Sequence, residues 1–324
     1  MLNLGGPGSL DDVQPFLENL FLDPEIIDIP FGKYIRKPLA KFISARRAEK
    51  VKLKYAQIGG KSPIMELTQK QADALTKKLK EHYRGRAECA VEIGMRYWHP
   101  FTSEIIDALR AKNYSHVFLM PLYPHYSRTT TGSSFKDWKA LHNRIGGKTF
   151  KTYSTYAYYD HPLFLQALNE RIDAGLRKFH DSSEEEIQFL FSAHGTPVKL
   201  VKRGDPYSTH IAKTVEAVMK LRGYDHRHHL SFQSKVGPAK WLEPATDKKV
   251  EELGKNGVRR LLVIPVAFVS DHLETLHELD IELREHAFKH GIEEFQVMPA
   301  LNDSPLFIDA LADLIARKMD KRLA

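Results

Sequence analysis

Two hydrophobic patterns alternate along this chain. Uninterrupted apolar runs occupy Val117–Leu122 and Leu261–Val266, and shorter ones fall within Ile187–Ser192 and Leu230–Ser234. Runs this short, with no polar face, predict strands buried on both sides, as in a parallel sheet covered by helices. Leu2–Leu4 and Glu88–Gly94 read as further strands. Between them lie longer stretches with apolar residues at helical spacing: Leu67–His82, Pro162–Phe179, Ile211–Arg222 and Ser304–Arg322. The last begins on a serine and ends on a basic turn, which suits the helix dipole. Strands alternating with helices predict βαβ crossovers and an α/β fold.

A self-match at a shift of 144 residues sets the expected architecture. Arg96-Tyr97-Trp98-His99-Pro100 aligns with Lys240-Trp241-Leu242-Glu243-Pro244. Thr102 then matches Thr246, Leu109 matches Leu253, and Val117–Leu122 matches Leu261–Val266, all without a gap. Each copy has an aromatic, a proline, a helix and an uninterrupted apolar strand closed by proline. This predicts duplication of one doubly wound unit, giving two similar Rossmann-like domains with parallel sheets and a C-terminal helix. A length of 324 residues fits two domains. The join is expected near Thr152–His161, dividing the chain into 1–152 and 153–324.

Composition removes several function classes. The net charge is +7, but the basic residues are interspersed with Glu and Asp, as in Lys248–Lys255, so nucleic acid is not an expected partner. Cys89 is the only cysteine, which excludes a disulfide framework, a thiolate zinc site and a four-cysteine iron–sulfur cluster. No run approaches the ~20 apolar residues that span a bilayer. Met1–Pro7 shows no basic leader or signal-peptide core and reads as a strand already entering a turn. A cytoplasmic location is therefore expected.

In open parallel sheets, ligands bind beyond the carboxyl ends of the strands. Three such ends carry candidate chemistry: Gly5-Gly6-Pro7, Ser192-Ala193-His194-Gly195-Thr196-Pro197, and Val266 through Glu274. No glycine-rich phosphate fingerprint is present, which argues against a nucleotide. His194 has small neighbours, and a neutral imidazole can bind a metal or take a proton. A lone histidine at a strand end is equally a structural residue. Glu274, Glu278 and Glu282 recur every fourth residue and so share one helical ridge, with Leu276, Leu279 and Leu283 opposite. Such a ridge is either a solvated face or a row that conducts divalent cations or protons. The apolar stretch Phe16–Leu22 and Ile26–Pro30 reads either as a core-facing helix or as a lip for a flat hydrophobic ligand or a membrane surface.

Five segments together resemble the ferrochelatase family: Asn3-Leu4-Gly5-Gly6-Pro7, Met95 through Pro100, Ser192 through Gly195, Ser231 through Pro238 and Phe268 through Leu276. They stand in the family's order across nearly the whole chain. The resemblance implies insertion of Fe²⁺ into protoporphyrin IX with release of two protons, in a cleft between the halves, and no bound cofactor. It implies that His194 and Glu274 face each other across the macrocycle as catalytic and metal-handling groups, with Glu278 and Glu282 behind. Arg47, Lys50 and Ser62 match propionate contacts. Leu4, Arg96, Tyr123 and Phe268 match pocket positions, and residues 16–30 match an apolar lip that can touch the inner face of a membrane. Leu4 stands where the coproporphyrin-using branch usually has tyrosine, which favours protoporphyrin IX over coproporphyrin. Other tetrapyrrole chelatases and a two-lobed binding protein are the alternative readings.

Overall fold

A computed structural model describes residues 1–27, 32–147, 149–180, 186–234 and 239–323. Two compact units are formed, one by Met1–Ala157 with Ile308–Ala324 and the other by Tyr158–Phe307. The expected division at 152/153 put the whole C-terminal helix in the second half. Its polar contacts explain the difference. Lys318 donates to the Ser154 carbonyl, Lys78 pairs with Asp309, and His82 stands 3.1 Å from Asp320.

The first unit contains β1 (Leu2–Asn3), α1 (Val13–Leu22), α2 (Gly32–Gln57), α3 (Ile64–His82), β2 (Gly94–Met95), α4 (Thr102–Ala111) and β3 (His116–Leu119). A π-helical turn, Arg128–Gly132, then leads into α5 (Ser133–Arg144) and β4 (Lys151–Ser154). β1 pairs in parallel with β2 and β3 with β4, while Leu2 bridges to Pro121 just past β3. The order across these strands is thus β2-β1-β3-β4. Leu2, Ile106, Leu109, Leu119, Trp138 and Phe150 form a core between these strands and α4 and α5.

The second unit contains α6 (Pro162–Leu176), β5 (Ile187–His194), α7 (Val198–Lys202), α8 (Tyr207–Leu221), β6 (His228–Gln233), α9 (Thr246–Lys255) and β7 (Arg260–Pro265). A ten-residue π-helix, Glu274–Leu283, continues into α10 (Arg284–Lys289), β8 (Glu294–Val297) and α11 (Pro305–Leu323), the helix shared with the first unit. Its sheet runs β6-β5-β7-β8, all parallel. Successive side chains of β7 serve opposite faces. Leu261 and Val263 join Val250, Leu253, Leu279, Leu283 and Phe295 in one core. Leu262 points the other way, so close to Gly175 of α6 that a Cβ there would sit 2.8 Å from its Cδ1.

The duplication is visible in the fold. α4 and α9 both start and end at positions 144 apart, and so do the starts of β3 and β7. Both units use the same strand order. His99–Pro100 and Glu243–Pro244, the equivalent prolines, are both cis. The strand expected at Glu88–Gly94 is reduced to Gly94–Met95, because β1 offers only Leu2 and Asn3 to pair with it.

The apolar stretch after Pro15 is largely interior. Phe16, Leu17 and Phe21 of α1 are buried, so this part is a core-facing helix rather than a lip. Ile26 and Ile27 are half-buried, and Asp28–Pro30 lie outside the described residues.

Close approach of α9 and the end of α10 depends on Gly254, where a Cβ would lie 2.0 Å from the His290 carbonyl oxygen. Gly254→Ala is expected to destabilise the fold by about 1–3 kcal/mol through overpacking. The check is the urea midpoint, and an unchanged midpoint would contradict this packing.

Candidate active site

The parallel register brings three strand ends of the second unit to one edge. Ser192 lies opposite both Ser231 and Pro265, and His194, the last residue of β5, lies opposite Gln233, the last of β6. Gly195 lets the chain leave β5 while still against β6. Its N–H donates to the Gln233 carbonyl at 2.8 Å, and a Cβ would stand 2.8 Å from that same oxygen.

Glu274 arrives at this edge at the start of the π-helix that follows β7. The start is fixed by a polar knot. Asn302 Oδ1 accepts from the Asp271 N–H at 3.0 Å, and Asn302 Nδ2 donates to Asp271 Oδ2 at 2.8 Å. Thr275 Oγ1 donates to Asp271 Oδ1 at 3.1 Å. π-Helical turns are rare and recur at functional sites. Here the wider turns still keep the core side, since Leu279 and Leu283 are buried while Leu276 is half-buried.

His194 Nδ1 lies 2.8 Å from Glu274 Oε2. The same oxygen accepts from Gln233 Nε2 at 3.0 Å. Gln233 is oriented from behind, because its Oε1 accepts from Ser192 Oγ at 2.8 Å. Ser192 and Ser231 both share a hydroxyl contact with Thr246, at 3.2 and 3.0 Å. Ser234 Oγ stands between two carboxylates, 3.3 Å from Glu274 Oε2 and 2.8 Å from Glu278 Oε2. It holds this place from a left-handed backbone conformation, φ +63°. Phe268 lies edge-on to the imidazole, with ring centres 6.5 Å apart.

The electrostatics follow from this packing. Burial alone would lower the His194 pKa, but the charge and hydrogen bond of Glu274, with Glu278 behind it, outweigh burial and raise it above its ordinary 6.5. Burial alone would raise Glu274. His194 outweighs that effect, helped by His272 and the Gln233 amide, and brings the carboxyl down to about 2. The contact, at the half-exposed end of β5, thus favours the charged form of each partner. Tyr207, buried beside it, has its phenol pushed up by burial and then by the negative charge of Glu274 and Asp205.

Two expectations change here. His194 and Glu274 do not face each other across a gap: at 2.8 Å no macrocycle fits between them, and they lie together on one side. The reason is topological, since β5 and β7 are adjacent strands whose carboxyl ends open on the same edge. The acidic ridge also divides. Glu278 joins the cluster through Ser234, whereas Glu282 is exposed and faces His277 at 3.6 Å. Ser192, Gln233 and Ser234 lie inside the segments that carry the family resemblance, with no individual role expected of them, and Tyr207 lies outside those segments. The end of β6, next to β5, is the signal that marks Gln233 and Ser234. Lys235–Pro238 lie outside the described residues.

The remaining expected site residues belong to the first unit. Leu4 is half-buried at the end of β1. Arg47 and Lys50 are exposed on α2, with the Arg47 guanidinium 5.6 Å over the Phe21 ring. Ser62 is buried against Gly6, where a Cβ would stand 2.5 Å from its Oγ. Arg96 is committed to a buried knot, donating to Ser133 Oγ at 2.8 Å and pairing with Asp23 at 3.1 Å. Tyr97 donates to the same carboxylate at 2.7 Å. Tyr123 is half-buried and its phenol is pushed up by burial.

Strand register aligns the two units residue by residue at this edge. Leu2 stands to Gly94 and Pro121 as Ser192 stands to Ser231 and Pro265. Leu4 therefore occupies the place of His194, and Arg96 that of Gln233, which corrects the gap-free match of Arg96 with Lys240 at this edge. A leucine thus stands where the second unit has its histidine, and a charged arginine where it has a neutral amide.

The class that this duplicated α/β architecture defines is the chelatase-like fold. The fold is shared with solved structures. SirB from Bacillus subtilis with Fe³⁺ superposes with a TM-score of 0.54 at 14% identity, over 79% of this chain and 92% of that one. A sirohydrochlorin chelatase SirB in complex with cobalt gives a TM-score of 0.51 at 12% identity, over 78% and 91%. The ferrochelatase family model matches residues 1–319, and the chain belongs to that family. It is 46% identical over 316 residues to a ferrochelatase of Geotalea uraniireducens, covering 97% of this chain and 95% of that protein. With a ferrochelatase of Aquifex aeolicus the identity is 44% over 319 residues, covering 98% of both.

The pair's pH dependence follows from the two directions. Glu274 contributes stability above its ordinary 4.5 that is lost as pH falls toward about 2. His194 contributes stability in full below 6.5, lost as pH rises through its higher folded value. In Glu274→Gln, burial is left unopposed by that carboxylate, so the His194 titration followed by NMR should move to lower pH. An unmoved titration would contradict the pairing.

Proposed function

We propose that the His194–Glu274 pair carries out the proton transfers of porphyrin metallation, and that the porphyrin is protoporphyrin IX. As a ferrochelatase, the enzyme is a lyase that inserts ferrous iron into a porphyrin to form haem. The free macrocycle holds two pyrrole N–H protons, and both leave as Fe²⁺ enters. The observation that carries the reading is the 2.8 Å contact between His194 Nδ1 and Glu274 Oε2.

With Nδ1–H held by the carboxylate, a neutral His194 presents its Nε2 lone pair as acceptor for a pyrrole proton. The imidazolium formed is stabilised by the ionised Glu274, whose carboxyl that same positive charge holds well below its ordinary range. The approach of a dication disfavours that imidazolium and helps drive the proton on to solvent. Ser234, between Glu274 and Glu278, suits passage of protons or of the cation's hydration shell along the carboxylates. Binding a bent ring, with a nitrogen lone pair out of plane, would supply the remaining catalysis as stabilisation of a strained form. Iron enters as substrate, and this chemistry calls on no bound cofactor.

Half-buried Leu4, Tyr123 and Phe268 suit an apolar macrocycle, and the exposed cations Arg47 and Lys50 suit its propionates. Ser62 and Arg96 are assigned a positioning role, given their buried partners. Leu4, rather than tyrosine, favours protoporphyrin IX. No described helix is long and apolar enough to cross a membrane. α2 exposes Ile35, Phe42 and Leu53, at 46, 60 and 69%, among Lys37, Lys41, Arg46 and Lys50. That combination suits peripheral contact with an anionic bilayer, at the inner face of the membrane in a cytoplasmic enzyme.

His194→Ala is expected to lower kcat for Fe²⁺ insertion by roughly 10²-fold or more, the usual scale for a lost acid–base group, while porphyrin affinity by fluorescence quenching stays near wild type. Glu274→Gln should be comparably impaired, Glu278→Gln milder, and Glu282→Gln milder still. Near-normal turnover in both His194→Ala and Glu274→Gln would refute the assignment. In parallel anaerobic assays, protoporphyrin IX should be metallated faster than coproporphyrin, and the opposite order would overturn the substrate choice.

A further inference from the structure

A second group of metal-capable side chains lies apart from His194, on α9, on α10 and at the residue that caps α10. Glu251, His286 and His290 each offer one ligand atom, and the three atoms all lie within 4.8 Å of one another. We infer that these residues form an auxiliary site for a borderline divalent transition ion of the Fe²⁺, Co²⁺ or Zn²⁺ class.

The geometry carries this reading. Two histidines four apart fall on the same side of a helix, and the His286 and His290 rings sit 4.3 Å apart. A His₂–carboxylate set is a known donor combination for such ions, leaving further positions to water. His290 Nδ1 lies 2.8 Å from the His286 carbonyl, so that nitrogen carries the proton and Nε2 keeps its lone pair. This is the supporting arrangement that metal-bound histidines commonly show. Two oxygens face His286 Nε2, the Glu251 carboxylate at 3.4 Å and the Asp247 carbonyl at 3.3 Å. A cation between that nitrogen and the carboxylate would satisfy both.

The framework holding these groups is rigid at its base. Gly254, one turn on from Glu251, brings the His290 backbone against α9. Arg259 Nη1 ties the turn after α10 by donating to the Gly254 and Gly291 carbonyls at 3.3 and 3.1 Å. Binding asks the half-buried side chains to close by about 1.5 Å, since ligand atoms around a tetrahedral ion lie about 3.3 Å apart. It also asks Lys248 Nζ, 2.8 Å from Glu251 Oε1, to swing away, which an exposed lysine does at little cost. Glu274, Glu278, Glu282, His286 and His290 recur at every fourth position. The auxiliary site therefore continues, along the chain, the row that begins at the reaction site.

The test uses the full-length chain with the reaction site disabled, as His194→Ala/Glu274→Gln, and Co²⁺ as a spectroscopic probe. This background should still bind one Co²⁺ with visible d–d absorption. Adding Glu251→Gln, which preserves shape, or His290→Ala should weaken that binding at least tenfold, with an unchanged thermal midpoint for Glu251→Gln. A background that binds no Co²⁺, or binding unaffected by both substitutions, would overturn the site. Turnover of His194→Ala reports on the reaction site separately, so failure of one reading leaves the other measurable.

Discussion

The structure turns on one hydrogen bond, the 2.8 Å contact between His194 Nδ1 and Glu274 Oε2 at the exposed end of a buried strand. Bringing an imidazole and a carboxylate together where burial opposes charge on both demands that each supply the other's counter-charge. Everything nearby serves that demand. Ser192 turns Gln233 so that its amide N–H faces Glu274, the Asp271–Thr275–Asn302 knot fixes where the π-helix starts, and Gly195 lets β5 end flush with β6. The outcome is a base strengthened by its partner and an acid too strong to protonate at physiological pH.

Duplication explains how such a site is built. The two units share strand order and register, so the same edge exists twice. In one copy the key positions are Leu4 and Arg96, with the arginine drawn into a buried knot with Asp23. In the other they are His194 and Gln233. The scaffold thus tolerates a leucine or a histidine at one position, and an arginine or a glutamine at the position beside it.

Much of this was legible from the residues. The 144-residue repeat placed α4 with α9 and β3 with β7, because helix spacing and buried apolar runs are local signals. The strand-end rule led to His194 and Glu274 individually. Their direct contact was not legible, since 80 residues separate them and only the pairing of β5 with β7 brings them together. The split of the acidic ridge was hidden for a related reason: four-residue spacing put Glu274, Glu278 and Glu282 on one face, but Ser234 and His277 decide where each carboxylate goes. The α1 segment showed the limit of composition, because Phe16, Leu17 and Phe21 read equally as lip or core until packing chose the core.

The central claim is that His194 and Glu274 act as one unit. A double-mutant cycle on kcat/KM for iron insertion tests it directly, using His194→Ala, Glu274→Gln and the combined variant. If the pair is one device, the combined variant will be no slower than the worse single variant, as expected for groups that work together. Losses that multiply, each substitution costing as much in the presence of the other as alone, would show two independent residues and contradict the account.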